Sequence, residues 1–346
     1  KFEAQLESDL QELRAEAFVE INDYWKIKKI IVSLGDPAGI GPEIFLKALS
    51  KINSKEIFER IIVVSSLSVL DFVNSQLKLG FRFNELFNIK DTKPNKINFI
   101  NVQNCPNYKV GKSDENNADY VIDCINIASD LAFDNKLNLV TGPINKSVIS
   151  SKVKNFQGHT EYLKNKFSCN DLLMLLANDQ LKIGVATTHI PLNEVSNTIT
   201  EKLLINKISL LEKGLRELFN IKNPLIGILG LNPHAGESGE YGQEDKNIVQ
   251  PTVQKLTNKF NLIGPLPADT AFVSSKCDGY LSMYHDQALP VIKTLDFHGT
   301  VNITIGLPFM RVSVDHGTAE DIASDFKADP SSMIKSIKIA LNENKA

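Results

Sequence analysis

The chain of 346 residues is 42% hydrophobic and 23% charged, and its formal net charge is −3. This length and composition predict an ordinary soluble protein with a large buried core and two lobes around a cleft. The nearly balanced charge gives no general attraction to nucleic acid or to an anionic membrane, so neither partner is expected and an anion site has to be a local pocket.

The first residues, KFEAQLESDLQELRAEAFVEIN, place apolar side chains at helical spacing among many charges. We therefore predict an amphipathic helical segment over residues 1–28, ahead of the main fold and without an assigned function. Residues 29–346 are predicted to form a two-lobed catalytic unit with the active-site cleft between the lobes. No run of Gly, Ser or Pro marks a linker, which favours lobes that share a sheet or exchange strands.

Short β-branched apolar runs alternate with helical stretches from Lys29 onward. The candidate strands are KIIVSL, IIVVS, INFINV, LNLVT, LLMLLA, IGVATT, LIGILGL and YLSMY. Helical periodicity appears between them at 118–133, 201–219 and 246–260, and each stretch is long enough for a crossover connection. This alternation predicts an α/β fold with mostly parallel sheets flanked by helices.

Two glycine-containing loops in the first half of the chain are candidates for ligand contact. Residues 35–43, GDPAGIGPE, match neither GxGxxG nor GxxxxGK[ST], so a standard Rossmann or P-loop site is not predicted. A structural turn from strand to helix explains this loop equally well. TGPINK and the following GHTE offer the cation Lys146, the imidazole of His159 and the hydroxyl of Thr160, which together suit a small anionic substrate.

Three histidines, His189, His234 and His285, each follow a short apolar run and lie beside turn-forming or acidic residues, in ATTHIPL, GLNPHAGE and MYHDQ. Strands that end at one edge of a sheet would bring the three imidazoles to a common point. Such a site leaves coordination positions open for substrate oxygens, as a catalytic divalent metal requires. The three histidines are much farther apart in the chain than the ligands of a zinc finger or of HExxH. The prediction therefore depends on the residues around each histidine and not on their spacing.

Further polar side chains follow in the second half of the chain. Asp269 in PLPADT and Asp286 in YHDQ are two carboxylates that could either orient a metal ligand or move a proton. Lys293, Asn302 and Arg311 lie beside apolar strands, where cations rarely stay unpaired. The stretch DHGTAEDIA indicates a helix start, and contacts to a dinucleotide are also conceivable there.

The four cysteines, Cys105, Cys124, Cys169 and Cys277, are widely spaced and form no CxxC pair. This argues against a disulfide framework and against a cysteine-rich metal site. No apolar stretch approaches the roughly 20 residues that span a bilayer, and the charged first residues do not resemble a secretory signal. We therefore expect a cytoplasmic protein.

Eight ordered blocks resemble the 4-hydroxythreonine-4-phosphate dehydrogenases of pyridoxal phosphate biosynthesis, the PdxA family. They are GDPAGIGPEI, TGPINK, GHTEYL, ATTHIPL, LNPHAGESGEYGQE, GPLPADT, YHDQALPVIK and NITIGLPFMRVSVDHGTAEDIA. They extend from about Lys29 to the C-terminus and leave the first segment outside the resemblance. One departure is Asn145 in TGPINK, where the family often has a histidine.

The resemblance implies NAD-dependent oxidation of the C3 hydroxyl of 4-phosphohydroxy-L-threonine and decarboxylation to 3-amino-2-oxopropyl phosphate. A divalent metal (zinc, magnesium or cobalt) would polarise the hydroxyl, and the choice between NAD and NADP stays open. The family is similar in fold to the isocitrate and isopropylmalate dehydrogenases. It is also homodimeric, with active sites built from both subunits.

The resemblance also implies roles for individual residues. The metal ligands fall on His189, His234 and His285, the substrate-binding positions on His159, Thr160, Lys293, Asn302 and Arg311, and the cofactor contacts on His316, Gly317 and Asp321. Candidates for catalysis are Asp269, Asp286 and Lys293. Which group meets which substrate oxygen is left open.

Two other functions compete with this prediction. A related decarboxylating dehydrogenase could act on threonate or erythronate 4-phosphate, which lack the amine, and the motifs barely separate the two. A phosphate acyltransferase of similar α/β fold would bind anions near glycine loops but needs no trio of histidines. A non-catalytic scaffold conflicts with so many polar side chains beside strand ends.

Overall fold

A computed structural model describes residues 29–103, 105, 108–274 and 276–343. These residues form one mixed sheet with helices packed on both faces. The strands of the described chain are β1 (Ile30–Ser33), β2 (Ile61–Ser65), β3 (Phe83–Glu85), β4 (Ile97–Asn101), β5 (Asn138–Thr141), β6 (Leu173–Ala177), β7 (Lys182–Thr187), β8 (Ile226–Leu229), β9 (Leu262–Leu266), β10 (Gly279–Tyr284), β11 (Val301–Ile305) and β12 (Arg311–Val314). The predicted segment 1–28 lies outside the described residues.

The helices of the same residues connect these strands. They are α1 (Gly41–Ile52), α2 (Lys55–Arg60), α3 (Leu67–Leu77), α4 (Ala118–Asp134), α5 (Lys146–Ser150), α6 (His159–Lys166), α7 (Leu192–Thr198), α8 (Glu201–Phe219), α9 (Gln250–Leu256), α10 (Ala268–Ser274), α11 (His285–Leu295), α12 (Glu320–Ala323) and α13 (Ser331–Ala340). None of them combines the length and the apolar character that crossing a bilayer requires.

The sheet order is β3-β4-β2-β1-β5-β12-β11-β6-β7-β10-β8-β9. All neighbouring strands pair parallel except at the centre, where β12 with β11, β11 with β6, and β6 with β7 pair antiparallel. After these three reversals β7, β10, β8 and β9 run opposite to β1, β5 and β12. The carboxyl ends of the two parallel groups therefore lie at opposite edges of the sheet.

The mostly parallel α/β sheet flanked by helices confirms the fold class predicted from the sequence. The strand β12 comes from the end of the chain but pairs with β5 of the first half, so the two halves share one continuous sheet. The predicted helices at 118–133 and 201–219 are present as α4 and α8. The third, predicted at 246–260, is shorter, because Asp245–Val249 forms a π-helical turn that precedes α9. The division into lobes stays a prediction.

Local signals explain where several helices begin and end. The Thr200 side chain accepts a hydrogen bond from the Leu203 amide at the start of α8, and Ser66 caps α3 in the same way through Val69. Both contacts satisfy an amide that lacks a partner in the first helical turn. The helix α8 then ends at Asn220, which adopts the left-handed conformation that asparagine tolerates.

The core lies on both faces of the sheet. Along β1, Ile30 and Val32 pack into one apolar cluster with α1, α8 and α13, whereas Ile31 packs into another with α4. All three side chains are fully buried. A strand with both faces covered consists of continuous β-branched residues, which is why IIVS and IIVVS have no polar alternation.

Candidate functional site

A cavity of about 730 Å³ lies over the central strands, where the strand direction reverses. Its floor includes Asn302 of β11 and Arg311 and Ser313 of β12. The register pairs Asn302 with Ser313 and with Leu176 of β6, so these side chains share one face of the sheet. The antiparallel centre of the sheet therefore presents a row of polar groups to the cavity.

The two parallel groups of strands enclose this floor from opposite edges. Residues 142–146 follow β5 and residues 315–317 follow β12 at one edge, while His189 follows β7 and His285 follows β10 at the other. This arrangement depends on the antiparallel reversals, because otherwise all strand ends would lie at the same edge. One cavity thus collects residues that are more than 140 positions apart in the chain.

Arg311 is buried at one side of the cavity floor. Its guanidinium donates hydrogen bonds to three hydroxyls, those of Thr141 at 3.0 Å, Thr304 at 3.1 Å and Thr160 at 3.4 Å. Burial lowers its pKa to about 10, against the attraction of Glu161. Within the described chain no carboxylate forms a salt bridge with Arg311. A buried cation held only by neutral hydroxyls is a favourable place for a ligand anion.

His159 lies beside Arg311 at the first position of α6. Its side chain is buried, and the ring Nε2 has no hydrogen-bond partner among the described residues. Burial, followed by repulsion from Arg311 and Lys146, holds the pKa of His159 well below its usual value. The ring is therefore neutral at physiological pH and leaves Nε2 available for a ligand.

Asn302 and Lys293 complete the set of substrate-binding residues predicted from the sequence. The buried Oδ1 of Asn302 has no partner within the described part of the chain. Lys293 on α11 lies 2.9 Å from the Asp315 carboxylate, which follows β12, and its Nζ lies 5.6 Å from the ring centre of Phe297. All five predicted positions, His159, Thr160, Lys293, Asn302 and Arg311, line the one cavity.

His189 and His285 line the other side of the cavity, with ring centres 5.7 Å apart. The Nδ1 of His285 donates to Asp286 Oδ1 at 2.6 Å, so Nε2 is the nitrogen left for a ligand. A carboxylate in this position fixes the tautomer of a metal-binding histidine. Two imidazoles that bind one zinc-like ion place their ring centres about 5 to 6 Å apart. This pair fits a divalent metal.

His234 follows β8, which lies next to β10 in the sheet, so the three histidines follow three adjacent parallel strands, β7, β10 and β8. The His234 side chain is exposed, and its ring lies at a steep angle to that of Tyr241, with 6.2 Å between the ring centres. Across the residues that the structure covers, no three His, Cys, Asp or Glu side chains form a group that could hold a metal. The fold thus pairs two of the predicted ligands and places the third at the neighbouring strand end.

Asp269 and Asp286 lie outside the cavity. Both side chains are exposed, Asp269 in the first turn of α10 and Asp286 in the first turn of α11. Asp286 contacts His285 directly, whereas α10 packs against the Pro233–Gly239 segment that carries His234.

Of the three residues predicted to contact the cofactor, two line the cavity and one does not. His316 and Gly317 line the cavity, and the buried Nε2 of His316 has no partner in the described structure. Asp321 is exposed in the first turn of α12 and does not line the cavity. Asn145, the departure from the family pattern, caps α5 and donates to Glu320 Oε1 at 2.8 Å, so it joins the loop after β5 to α12.

The structure adds charged residues to the cavity that sequence reasoning did not assign. They are Glu161, Lys164, Asp171, Lys207 and Asp315. Burial lowers the pKa of Lys207, which donates to the Leu172 carbonyl. Lys207 lies in the middle of α8, where a lysine among other charged residues gives no signal of a site. Asp315 stands in DHGTAEDIA directly before His316, and this position is the signal in the sequence that could have identified it as a cavity residue.

The sequence and structure match proteins of known name. A relative from Pseudoalteromonas translucida, a 4-hydroxythreonine-4-phosphate dehydrogenase, is 38% identical over 90% of this chain and 96% of the relative. A second, of the same name, from Colwellia psychrerythraea is 36% identical over 91% of this chain and 98% of the relative. The crystal structure of this enzyme from Klebsiella pneumoniae aligns with a TM-score of 0.80 at 34% identity, over 91% of this chain and 97% of that one.

A family model described as pyridoxal phosphate biosynthetic protein PdxA matches residues 57–340. This match covers most of both parallel groups of strands and every residue that lines the cavity. The chain therefore belongs to the PdxA family.

Proposed function

We propose that this protein catalyses the NAD-dependent oxidation and decarboxylation of 4-phosphohydroxy-L-threonine to 3-amino-2-oxopropyl phosphate, in pyridoxal 5'-phosphate biosynthesis. The observation that carries the proposal is one cavity that holds a pair of imidazoles opposite a buried arginine, Arg311, with which no carboxylate of the described residues forms a salt bridge. The names of the relatives and the family match support the same substrate.

The substrate carries two anions, a phosphate and a carboxylate, and the cavity offers cations at separate places. Arg311 is fixed by three hydroxyls and has no carboxylate neighbour in salt-bridge range within the described residues. A substrate anion would therefore supply the negative charge that pairs with this guanidinium. Lys146 and Lys293 line the cavity from two other elements. We assign the orientation of the substrate to Arg311, Thr160 and Asn302, because fixed donors and acceptors define one pose.

The ligands of the divalent metal are assigned to His189, His234 and His285, with zinc, magnesium or cobalt as the ion. These residues would hold the ion, which would supply Lewis-acid polarisation of the substrate hydroxyl, and the hydride acceptor would be NAD or NADP. The chain's own contribution is to orient His285 through Asp286, at 2.6 Å, and to keep the Nε2 of that ring directed to a ligand. His316, Gly317 and Asp321 are assigned to the cofactor, at the edge where β12 ends.

Proton transfer is assigned to Lys293. Its Nζ lies in the cavity, 2.9 Å from the Asp315 carboxylate, and has a half-buried environment on α11. A lysine held by a carboxylate can return a proton to the substrate carbon after carbon dioxide leaves. His159 is neutral and buried, so we assign it to binding a substrate oxygen through Nε2.

We propose that the active enzyme is a homodimer with shared active sites. An apolar groove of about 600 Å³ lies between α10 and α11 and is lined by Leu181, Phe272, Val273, Val291 and Leu295 among others. Val273 and Leu295 on this groove are 87% and 46% exposed, and a contiguous apolar surface of this kind is typical of a protein–protein interface. Asp269 lies on α10, outside the cavity of its own chain, and is assigned to the cavity of a second copy, whereas Asp286 contacts His285 of its own chain.

The cytoplasm is the proposed compartment, because all four cysteines are free thiols. The purified protein will test the activity and the dimer together. We expect NADH formation from 4-phosphohydroxy-L-threonine, loss of this activity with a chelator, and the mass of a dimer in light scattering. Turnover of only threonate or erythronate 4-phosphate would replace the proposed substrate, and activity that persists with chelator would remove the metal from the proposal.

A further inference from the structure

One carboxylate joins three segments at the edge of the sheet where β5 and β12 end. The Oε1 of Glu320, in the first turn of α12, accepts a hydrogen bond from Asn145 Nδ2 at 2.8 Å and from the Thr318 hydroxyl at 3.1 Å. Its Oε2 accepts from the Ser113 hydroxyl, and the oxygen of that hydroxyl lies 2.8 Å from Asn145 Nδ2. Glu320 therefore connects the loop after β5, the segment before α4 and the start of α12.

Two of the joined segments carry residues of the cavity. Lys146 lines the cavity directly after Asn145 in the chain. His316 and Gly317, which we call the β12 turn, line it directly before Thr318. The contact between the two segments therefore holds two parts of the cavity lining in a fixed relation to each other.

The β12 turn has both the space and the polarity for a ligand. A Cβ at Gly317 would meet no atom of the described residues within 4 Å other than those of its neighbours in the chain. The Nδ1 of His316 donates to the Gly317 carbonyl at 3.0 Å, so a neutral ring keeps Nε2 as an acceptor. This buried Nε2 has no partner among the described residues. A ligand that brings a hydroxyl or an amide fits this turn, and NAD carries both groups.

The backbone that follows the β12 turn adopts a conformation that needs support. Ala319 has φ 45° and ψ 54°, in the left-handed region that residues with a Cβ rarely occupy. Such a conformation persists where surrounding contacts define it. Directly before Ala319, the Thr318 carbonyl accepts from the Ile40 amide at 3.0 Å. Directly after it, the Glu320 carboxylate supplies the second set of contacts.

The charge of Glu320 suits these contacts. Burial raises the pKa of this carboxyl, but the hydrogen bonds from Ser113, Asn145 and Thr318 together outweigh burial and lower it. The three donors are two hydroxyls and one amide, so each is neutral. A carboxylate accepts from all of them at once, whereas an alanine at this position would lose every contact.

We infer that the Asn145–Glu320 pair positions the β12 turn to contact the cofactor. This inference rests on the proposed assignment of the cofactor to that turn. Both partners are positioning residues, because neither lines the cavity and each acts through a loop that does. The Oδ1 of Asn145 also caps α5, so Glu320 is the partner whose removal breaks the connection and leaves that cap in place.

The test is a fluorescence titration of the purified full-length protein with NADH, in the absence of substrate. Glu320→Ala should raise the Kd of NADH by about tenfold, comparable to the loss of a hydrogen bond to a charged group. The direction is diagnostic, because removing a negative charge near an anionic cofactor would by electrostatics alone tighten binding. Glu115→Ala is the matched control. It removes the same charge at an exposed position before α4 and should leave the Kd within about twofold.

Steady-state kinetics and an exchanged pair separate positioning from a general structural defect. In Glu320→Ala the KM for NAD should rise by the same factor as the Kd, while kcat at saturating NAD and the KM for 4-phosphohydroxy-L-threonine stay close to those of the unmodified protein. Asn145→Asp still caps α5 but places a second carboxylate against Glu320, so it should also weaken NADH binding. Adding Glu320→Gln exchanges amide and carboxylate, which restores a donor and an acceptor and should recover the Kd.

The inference is overturned if folded Glu320→Ala binds NADH as tightly as the unmodified protein or more tightly, or if the exchanged pair binds no better than Asn145→Asp. If Glu320→Ala fails to fold, the exchanged pair carries the test. His316→Ala separates this inference from the proposed function. If His316→Ala loses NADH binding and Glu320→Ala does not, the role of Glu320 alone is wrong; if His316→Ala binds normally, the cofactor assignment is wrong and the inference with it.

Discussion

The two sides of the cavity differ in how far the chain's own contacts fix their geometry. We call Arg311, His159 and Thr160 the anion side, and His189 and His285 the metal side. The anion side is largely buried, and Arg311 is held by three hydroxyls. On the metal side His189 is exposed, and the hydrogen-bond partner of the His285 side chain among the described residues is Asp286.

This difference has a physical reason. A buried guanidinium has lost its water, so neutral donors and acceptors must hold it in one orientation. Imidazoles that bind a metal need only a defined tautomer and an open nitrogen, which one carboxylate provides. We therefore expect substitutions on the anion side to affect substrate recognition, and substitutions on the metal side to be offset by added metal.

The largest effect is expected at Arg311. Arg311→Met should lower kcat/KM by about 10³-fold, because a buried cation that meets a substrate anion contributes on the order of 4 kcal/mol. Steady-state NADH formation over a range of substrate concentrations measures this. Arg216→Met, at an exposed arginine on α8, is the control and should leave kcat/KM within a factor of two, about the spread of a neutral surface change. A loss below tenfold at Arg311 would mean that the substrate anion binds elsewhere.

On the metal side, His285→Ala should weaken binding of Zn²⁺ or Co²⁺ by more than about 100-fold, since it removes a ligand and not only its orienting partner. Competition with a chromogenic chelator measures the affinity. His298→Ala removes an exposed imidazole three residues after the end of α11 and serves as the control. Equal affinities in the two variants would show that His285 is not a ligand.

A smaller effect on the same side is expected at Asp286. Asp286→Asn keeps the shape but removes the charge that holds the Nδ1 proton of His285, so metal affinity should fall by about tenfold. Because the ligands themselves remain, excess metal should restore kcat. A kcat that stays low at saturating metal would instead assign Asp286 a direct part in the reaction.

The smallest effect is a pH dependence of stability on the anion side. Because its pKa is depressed in the folded state, His159 binds a proton more readily when the chain is unfolded. Its contribution to stability is full above the unfolded pKa of about 6.5 and decreases as the pH falls below that value. Between pH 7.5 and 5.5 the unmodified protein should lose about 1 kcal/mol more than His159→Gln.

Urea unfolding at both pH values measures this difference. The charged groups that face His159 are Arg311 and Lys146; both are present in the unmodified protein and in His159→Gln, so the comparison isolates the imidazole. His298→Gln should behave like the unmodified protein, because that side chain is exposed. An identical pH response of His159→Gln and the unmodified protein would indicate that His159 is not neutral and buried in solution.

Much of the architecture could be predicted from the chain alone. Continuous apolar runs such as IIVS and IIVVS identify strands covered on both faces, and a strong 3.6-residue period identifies α4 and α8. The strands β3, β9, β11 and β12 were not among the predicted strands. The apolar runs of β11 (VNITI) and β12 (RVSV) are interrupted by polar residues. Phe83–Glu85 has only three residues, and Leu262–Leu266 contains a glycine and a proline, so neither has a strand pattern.

The sequence also predicted only those site residues that stand in a local motif. His159, Thr160, Lys293, Asn302 and Arg311 stand in recognisable motifs, and all five line the cavity. Lys207 and Asp171 stand in no such motif, and the sequence gives no reason to place them there. The position of Lys207 depends on how α8 packs against the strands, and that of Asp171 on where β6 pairs in the sheet; both involve contacts far apart in the chain.

The sequence by itself determined the class of the fold and the residue types of the site, because periodicity, helix caps and polar residues after apolar runs are local properties. Only the tertiary structure decided how strand direction reverses at β11 and β6. That reversal brings the ends of β5 and β12 to face the ends of β7 and β10 across one cavity. Strand pairing joins residues distant in sequence, so its direction follows from packing the whole sheet and not from any single segment.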